Sequence, residues 1–240
     1  MVLATLLLGS VPAPAQERVI RFGLTADYPP FALRLADGTL TGADVVVARQ
    51  IAKRMRARAQ FVATDWRSLE KDFAAKRFDV AIGGLTVTPE RAAIGTYSIV
   101  LMHDGKRPLA RCGERRRYRT LAEIDRPGTK VLINRTTPMI AMSKEWFRSA
   151  TVTYQIPETQ QLLDELLGRR QDVWITDGVV VDHMARRYRG ILCTTTTTPF
   201  TQLTKAWLIQ SDPALIAPIN LGLKRALSSG AWLKALKAVK

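Results

Sequence analysis

Short apolar runs and amphipathic stretches alternate along the chain, with the periods expected of strands and helices. Residues 19–24 are apolar and β-branched, which predicts a first strand. In residues 43–58, Val47, Ile51 and Met55 recur at four-residue spacing on one face, so this segment predicts an amphipathic helix. The same patterns predict further strands and helices at residues 60–63, 68–76, 80–82, 121–125, 130–134 and 140–149. This mixture of strands and helices is typical of an α/β protein.

Two later segments are expected to return the chain to its first half. Residues 191–198 are rich in Thr, which favours strands, and they predict an extended segment that crosses between two lobes. Residues 213–240 predict two amphipathic helices, broken near Ser228, Ser229 and Gly230, that cover the core of the first lobe. Two connections between lobes form a hinge, and hinge closure around a ligand is an expected motion.

One helix-to-strand junction occurs twice. Residues 69–84 read LEKDFAAKRFDVAIGG, and residues 162–178 read LLDELLGRRQDVWITDG. In both, an amphipathic helix ends in basic residues, which suit the negative end of its dipole, and a strand then leads into a polar loop. The repeat is either a coincidence between two ordinary junctions or the mark of two lobes of similar build. Two such lobes would present the carboxyl ends of their strands to a shared cleft, where open α/β sheets bind ligands.

Composition and charge describe a globular chain with an excess of positive charge. Of the 240 residues, 47% are apolar and 24% are charged, the balance of an ordinary globular protein. The formal charge is +15, from 36 basic and 21 acidic side chains. The basic residues are spread along the chain, and their densest cluster, at residues 115–119, contains a single aromatic side chain. A solvated surface is therefore favoured over a nucleic-acid site, and we expect no nucleic-acid partner.

The first fifteen residues have the pattern of a secretory signal. Residues 1–10 are mostly apolar and carry no charge, and Ala13-Pro14-Ala15 gives the small-x-small pattern that signal peptidase reads. The stretch is too short to span a membrane. We expect residues 1–15 to be removed on export and the protein to be periplasmic.

Cysteine and histidine usage narrows the chemistry. Cys112 and Cys193 could form a disulfide in an oxidising compartment or stay as buried free thiols, and their spacing does not decide between the two. Together with His103 and His183 they show no metal-ligand spacing, so neither a metal nor another cofactor is expected.

A polar loop that follows a predicted strand has the composition of an anion-binding site. Gly84 lets the backbone approach a ligand, and Thr86 and Thr88 supply hydroxyl groups. The next residue, Pro89, suits the first turn of a helix, whose amides attract anions. Arg91 can hold a carboxylate through two parallel hydrogen bonds. Each residue alone is weak evidence, since an arginine in a first helical turn is usually exposed, but together they predict a carboxylate site.

A series of short motifs runs through the first half of the chain: Asp27-Tyr28-Pro29-Pro30-Phe31, Gly42-Ala43-Asp44, Asp79-Val80-Ala81-Ile82, Thr86-Val87-Thr88-Pro89-Glu90-Arg91 and Tyr97-Ser98. In this order they resemble the extracytoplasmic solute-binding proteins, family 3, of polar amino-acid ABC importers. The resemblance covers residues 19–240. It implies an α/β, two-lobed periplasmic-binding-protein fold of type II, with the ligand cleft between lobes joined by two crossing segments. Lobe 1 would comprise residues 16–105 and 199–240, and lobe 2 residues 106–198.

The resemblance also implies roles for individual residues. In that family the arginine that matches Arg91 holds the α-carboxylate of the ligand, and the aspartate that matches Asp177 in the second lobe holds its α-ammonium. A zwitterion bound between them would favour the closed state. The aromatic residues Trp66, Tyr28 and Phe31 would either form apolar walls or pack in the core. The full predicted ligand-binding set is Asp27, Tyr28, Phe31, Trp66, Gly84, Thr86, Thr88, Arg91, Lys106, Thr136, Thr137 and Asp177.

Further motifs resemble one subgroup of that family, the cyclohexadienyl dehydratases. These motifs are Asp104-Gly105-Lys106, Arg111-Cys112, Ile124-Asp125-Arg126-Pro127-Gly128, residues 131–134, Ile175-Thr176-Asp177 and residues 190–193. By this resemblance Cys112 and Cys193 form a disulfide, and Lys106 contacts the ligand. Two features depart from the subgroup: Val180 stands where the general-acid glutamate is expected, and residues 135–139 replace its characteristic loop.

The missing acid has no obvious substitute. Asp182 is the next carboxylate, but on a helix its two-residue offset turns it about 200° from the direction of Val180. His183 has the same difficulty of direction and is more often a surface residue. We therefore predict no catalytic residue.

Three functions follow from these observations. The first is a monomeric periplasmic protein that captures an amino acid or related small carboxylate for an ABC permease in the inner membrane. The second is a divergent cyclohexadienyl dehydratase, and the third is a basic nucleic-acid-binding module. We favour the first.

Overall fold

A computed structural model describes residues 17–135, 137–155 and 159–239, with the backbone alone at residues 137, 138, 159 and 160. The predicted signal segment, residues 1–15, lies outside the described part. Within that part, no helix combines the length and apolar character needed to cross a bilayer.

Short strands and helices alternate throughout the fold. The first part of the chain forms β1 (Arg18–Leu24), β2 (Asp27–Tyr28), β3 (Ala32–Arg34), β4 (Leu40–Thr41), α1 (Ala43–Arg54), β5 (Ala57–Ala63), α2 (Leu69–Ala74), β6 (Val80–Ala81), α3 (Pro89–Ala92), β7 (Thr96–Tyr97) and β8 (Met102–Asp104). The middle part forms β9 (Lys106–Arg111), a 3₁₀ helix (Cys112–Arg117), α4 (Leu121–Ile124), β10 (Lys130–Asn134), α5 (Thr137–Trp146), β11 (Thr151–Gln155), α6 (Thr159–Leu167), β12 (Val173–Asp177), α7 (Gly178–Arg187) and β13 (Leu192–Thr194). The last part forms β14 (Leu203–Lys205), β15 (Leu208–Ile209), α8 (Pro213–Ser228) and α9 (Ala231–Ala238).

Two five-stranded sheets share one topology. The first has the order β5-β1-β6-β15-β7, and the second has the order β11-β10-β12-β9-β13. In each, the strand second in the order pairs in parallel with both neighbours, and the fourth strand runs antiparallel to both of its neighbours. The strands β6 and β12, which follow the repeated helix-to-strand junction, hold equivalent places. The prediction of a two-lobed α/β fold is confirmed.

The repeated Asp-Val step has the same structural role in both sheets. Asp79 accepts a hydrogen bond from the backbone N–H of Arg21 at 2.8 Å, and Asp172 accepts one from the backbone N–H of Lys130 at 2.9 Å. Each carboxylate also pairs with a guanidinium, Asp79 with Arg21 at 2.6 Å and Asp172 with Arg111 at 3.2 Å. The repeated aspartate therefore holds the start of β6 against β1 in the first sheet and the start of β12 against β10 in the second sheet.

The segments that connect the two sheets lie side by side. Strand β8 leads out of the first sheet's half, and β14 returns to it, and the two pair antiparallel. Residues 191–198 are not the crossing strand predicted from their Thr content, because β13 at their centre pairs with β9 inside the second sheet. Threonine favours extended backbone without specifying the partner strand. Gly105 lies where the crossings touch, and a Cβ there would meet the backbone O of Thr201 at 1.9 Å.

Helix ends differ from the predicted ones for local reasons. Helix α1 ends at Arg54 rather than at residue 58, because Arg56 adopts a left-handed φ of 52° and β5 begins at Ala57. Helix α5 ends three residues before its predicted end. The Asp125 carboxylate accepts hydrogen bonds from the three backbone N–H groups of residues 148–150, which holds that segment outside the helix.

The carboxyl-terminal helices cover the first sheet's half, as their amphipathic pattern predicts. Helices α8 and α9 both pack on α1. Trp232 of α9 donates its indole N–H to the buried carboxylate of Asp44 at 2.9 Å. In the other half, Cys112 and Cys193 are joined by a disulfide that links the 3₁₀ helix to β13.

Candidate functional site

A cavity between the two halves collects side chains from both. The lining residues that belong to the predicted ligand-binding set are Tyr28, Trp66, Gly84, Thr86, Arg91, Lys106 and Asp177. The lining residues that were not predicted are Asn134, Met139, Met142, Leu203 and Lys205. The predicted arginine and aspartate thus face one cavity, although they lie far apart in sequence.

Arg91 is buried, contrary to the usual exposure of an arginine in a first helical turn. It lies in α3, where the Thr88 hydroxyl caps the helix by accepting the Arg91 backbone N–H at 3.4 Å. The Arg91 Nε donates to Glu70 at 2.9 Å, and its Nη1 donates to the carbonyl O of Thr86 at 3.0 Å. Among the described residues Nη2 has no hydrogen-bond partner. The guanidinium is therefore held from behind with donors left for an anion.

Asp177 ends β12 and is almost completely buried. Its Oδ1 accepts from Lys106 Nζ at 2.6 Å, a residue directly opposite it on β9. Its Oδ2 accepts from the Tyr28 hydroxyl at 2.7 Å and from Lys205 Nζ. Burial alone would raise the pKa of Asp177, but the positive charges of Lys106 and Lys205 outweigh it and hold that pKa well below its usual range. Asp177 is therefore ionised at neutral pH, and its carboxylate joins the two halves.

Tyr28 stays a neutral hydrogen-bond donor in this cluster. Burial and the adjacent Asp177 charge both raise the pKa of its phenol well above the ordinary value of 10.0. Its oxygen also lies 3.0 Å from the Thr176 hydroxyl.

Lys205 is as deeply buried as Asp177, with 1% of its surface exposed. Its ammonium contacts three acceptors: the carbonyl O of Gly84 at 3.0 Å, the Thr86 hydroxyl at 2.8 Å and the Asp177 carboxylate. The ammonium also lies 5.9 Å from the centroid of the Phe31 ring. Burial lowers the pKa of Lys205, and the Asp177 charge opposes this shift.

The turn at Gly83 and Gly84, beside the cavity, requires glycine for a steric reason. Asp44 Oδ2 accepts the backbone N–H groups of Gly83 and Gly84 at 2.9 and 3.1 Å, which fixes the turn. Gly84 has a φ of 78°, and a Cβ there would meet the Phe31 ring at 2.4 Å. Phe31 itself is fully buried behind this turn and does not line the cavity.

Two aromatic residues form the apolar wall. Trp66 and Tyr28 meet edge to face with ring centroids 5.4 Å apart. Asp27 lies behind Trp66 rather than in the lining, and it accepts the Trp66 indole N–H at 3.1 Å. Thr88 is also outside the lining, because its hydroxyl caps α3. Thr136 and the side chain of Thr137 lie outside the described residues.

The lining residues that the sequence analysis did not predict come from β10, α5 and β14. Met139 and Met142 come from α5, and Asn134 ends β10, where its Oδ1 accepts the Trp174 indole N–H at 2.6 Å. Lys205 and Leu203 come from the returning strand β14. A lysine directly before the apolar run 206–209 was the one signal for Lys205, and local pattern alone does not show where its side chain points.

Neither Val180, at the position where a general acid is expected, nor the two candidate substitutes, Asp182 and His183, lines the cavity. Val180 is buried in the core, and the Asp182 carboxylate pairs with Arg107 on its own half. His183 is only 2% exposed, so the expectation of a surface histidine is wrong. Burial, with smaller contributions from Arg186 and Arg187, lowers the pKa of His183 to about 4. Its Nε2 has no hydrogen-bond partner within the described residues.

Asp104 is a partly buried carboxyl group near the cluster. Its burial and the charge of Asp177 raise its pKa above the ordinary value. It accepts the backbone N–H of Val179 at 3.3 Å and lines a different cavity, beside the crossing strands. Among the described residues that line the ligand cavity, Asp177 is the single carboxylate.

Comparison with known proteins agrees with this architecture. The family model described as bacterial extracellular solute-binding proteins, family 3, matches residues 20–238. The chain is 29% identical over 233 residues to the cyclohexadienyl dehydratase of Pseudomonas aeruginosa, which covers 93% of this chain and 87% of that protein. It is 28% identical over 165 residues to the L-cystine-binding protein TcyJ of Escherichia coli, covering 68% of this chain and 58% of that protein.

Solved structures show the same fold. A putative binding component of an ABC transporter from Wolinella succinogenes, complexed with lysine, superposes with a TM-score of 0.82 at 24% identity and covers 91% of this chain and 94% of its own. An ancestral amino acid-binding protein, described as a precursor of cyclohexadienyl dehydratase, superposes with a TM-score of 0.79 at 24% identity over 91% and 93% of the two chains. Since the family model spans nearly the whole described chain, the protein belongs to the bacterial extracellular solute-binding proteins, family 3.

Proposed function

We propose that this protein is a periplasmic solute-binding protein that closes around an amino acid or a related small carboxylate and delivers it to an ABC permease. Residues 16–105 and 199–240 would form lobe 1, and residues 106–198 would form lobe 2. The protein would act as a monomer after removal of residues 1–15. We expect no metal or cofactor to take part in this function.

The observation that carries the proposal is the meeting of opposed charged groups in one cavity. Arg91 approaches from the half of the first sheet, and Asp177 with Lys106 approaches from the second sheet. Tyr28 and Trp66 add a flat apolar wall, the usual complement to a few directed polar groups in a ligand site. A carboxylate held by Arg91 would contact both halves at once and so favour closure.

The relatives support a solute of this class. Among them are L-cystine-binding and arginine-binding proteins, and one solved structure holds L-arginine. These ligands share a carboxylate, and Arg91 is the group here best suited to hold one.

A melting-temperature screen against amino acids and organic acids tests this proposal, with calorimetry on each hit. Replacing Arg91 by Ala is expected to weaken binding of the best ligand about 10- to 100-fold, since a charge-assisted pair is lost. The matched control is Arg77→Ala, because Arg77 pairs with Asp72 and does not line the cavity. The proposal fails if no carboxylate raises the melting temperature, or if both variants bind equally well.

Dehydratase activity is the second candidate, and the long match to the Pseudomonas aeruginosa enzyme favours it. That reaction requires a proton delivered to a leaving hydroxyl, and a positioned general acid contributes roughly 10²–10⁴-fold in rate. Asp177 is held ionised between two lysines, and Val180 stands where the acid is expected. We therefore expect no phenylpyruvate to form from prephenate above the uncatalysed rate. Turnover that disappears in Arg91→Ala would instead establish the enzyme.

A further inference from the structure

The ammonium of Lys205 occupies a site built for an ammonium group. A carbonyl oxygen, a hydroxyl and an ionised carboxylate surround one point in the cavity, and all three accept hydrogen bonds there. The carbonyl O of Gly84 can only accept, so the group at that point must donate. An ammonium with three donors matches this set, and Lys205 supplies it from within the chain.

We propose that Lys205 takes the place of a ligand's α-ammonium, so that this site binds a carboxylic acid with no α-amino group. The inference rests on the proposed function and narrows it, from amino acids and related carboxylates to the related carboxylates alone. A 2-oxo or 2-hydroxy acid fits the requirement, because it keeps the carboxylate for Arg91 and brings no second cation to Asp177.

The backbone that carries Lys205 is held in place on both edges of its strand. Lys205 lies in β14 opposite Met102 of β8, and its carbonyl O accepts the backbone N–H of Leu101 at 2.8 Å. A further bridge pairs it with Thr86 on its other side. The side chain is therefore delivered to the acceptors by a strand that is fixed on both edges.

The charge balance of the cavity agrees with an anionic guest. Among the described lining residues there are three cations, Arg91, Lys106 and Lys205, and one carboxylate, Asp177. Both oxygens of Asp177 are already paired with lysines. A ligand ammonium would have to displace Lys205 or lie among like charges, and unpaired buried charge is costly.

The test compares each standard amino acid with its 2-hydroxy and 2-oxo counterparts, which differ only at the α-substituent. For the wild-type protein we expect the best 2-hydroxy or 2-oxo acid to bind at least tenfold more tightly than its amino acid counterpart. In Lys205→Met the ammonium site is vacated while Lys106 still neutralises Asp177 at 2.6 Å. The preference should then shift by tenfold or more toward the amino acid. Circular dichroism checks that the variant is folded.

The outcomes separate this inference from the proposed function. If the wild-type protein binds an amino acid more tightly than both counterparts, the inference is overturned and the solute-binding function stands. If Lys205→Met folds and leaves the preference unchanged, Lys205 does not set it, and the inference again fails. If no acid of any of the three series binds, the proposed function itself fails. The wild-type comparison is decisive even if Lys205→Met does not fold.

Discussion

At the scale of single residues, the cavity depends on buried charges that stabilise one another. Asp177 is surrounded by Lys106, Lys205 and the Tyr28 hydroxyl, and each of these groups is buried. A buried charge is tolerated only when its partners remain, so these residues act as a unit rather than as separate contacts.

Asp177→Asn is expected to destabilise the fold by about 3–5 kcal/mol, because it leaves two buried lysines without a counter-charge. Urea unfolding measures the loss. Asp182→Asn is the matched control, since the Asp182 side chain is 43% exposed and its pair with Arg107 should contribute under about 1 kcal/mol. Equal losses in the two variants would contradict the proposed unit.

His183 should make stability depend on pH. Its pKa falls from 6.5 to about 4 on folding, so between these values the unfolded chain takes up a proton that the fold excludes. Stability therefore drops as pH is lowered through this window, by about 3 kcal/mol between pH 7 and pH 4. Chemical denaturation at several pH values should show this loss reduced in His183→Leu and unchanged in His103→Gln, where the replaced histidine is exposed. Parallel curves for wild type and His183→Leu would refute the assignment.

The candidate site was partly predictable because some of its residues belong to continuous motifs. Gly84, Thr86 and Arg91 follow one strand within eight residues, in a loop and the short helix after it, so the local sequence already indicates that they lie close together. Lys205 approaches from a distant strand. Asp27 accepts the Trp66 indole N–H, and the Thr88 hydroxyl accepts a backbone N–H of α3, so neither residue lines the cavity. Which of these side chains reaches the cavity depends on how distant strands pair, and the local pattern of a single sequence does not show that pairing.

At the scale of elements, the crossing strands lie in close contact with each other. Strands β8 and β14 pair with each other, and the chain at Gly105 passes close to the backbone of Thr201. The sequence identified two crossings but misassigned the second, since residues 191–198 continue the second sheet as β13. Helices and strands with a clear period were predicted well, and their ends were set by local interactions such as the left-handed Arg56.

Gly105→Ala should lower the melting temperature by several degrees, because its Cβ would lie 1.9 Å from the carbonyl O of Thr201 and the backbone must move apart. Differential scanning calorimetry measures the shift. Gly113→Ala is the control, since a Cβ there would meet no described atom within 4 Å apart from its own chain neighbours and local helix backbone, and its φ is not positive. A shift of the same size in both variants would mean that the crossing is not tightly packed.

At the scale of the whole molecule, the covalent link lies within one half, whereas the charged contacts join the two halves. The Cys112–Cys193 disulfide lies within the second half, while Asp177 contacts Tyr28 and Lys205 and so joins that half to the first half and its returning strand. The disulfide therefore constrains the second half alone and forms no covalent link between the halves.

Replacing both cysteines by Ser should destabilise the fold by about 4 kcal/mol, since the bond closes a loop with a sequence separation of 81 residues. Ligand affinity at a temperature where the variant is folded should stay within about twofold, because neither cysteine lines the cavity. Urea unfolding and calorimetry measure the two quantities. A large loss of affinity in the folded variant would show that the bond also shapes the cleft.

The strand order shows that the two sheets draw on different parts of the chain. The second sheet uses one continuous stretch of chain, whereas the first sheet lacks its fourth strand, β15, and the helices α8 and α9 until the carboxyl end has been made. A chain that emerges amino end first can complete its middle part while its earliest residues still wait for a neighbour. The residues synthesised last thus complete the sheet to which the residues synthesised first belong.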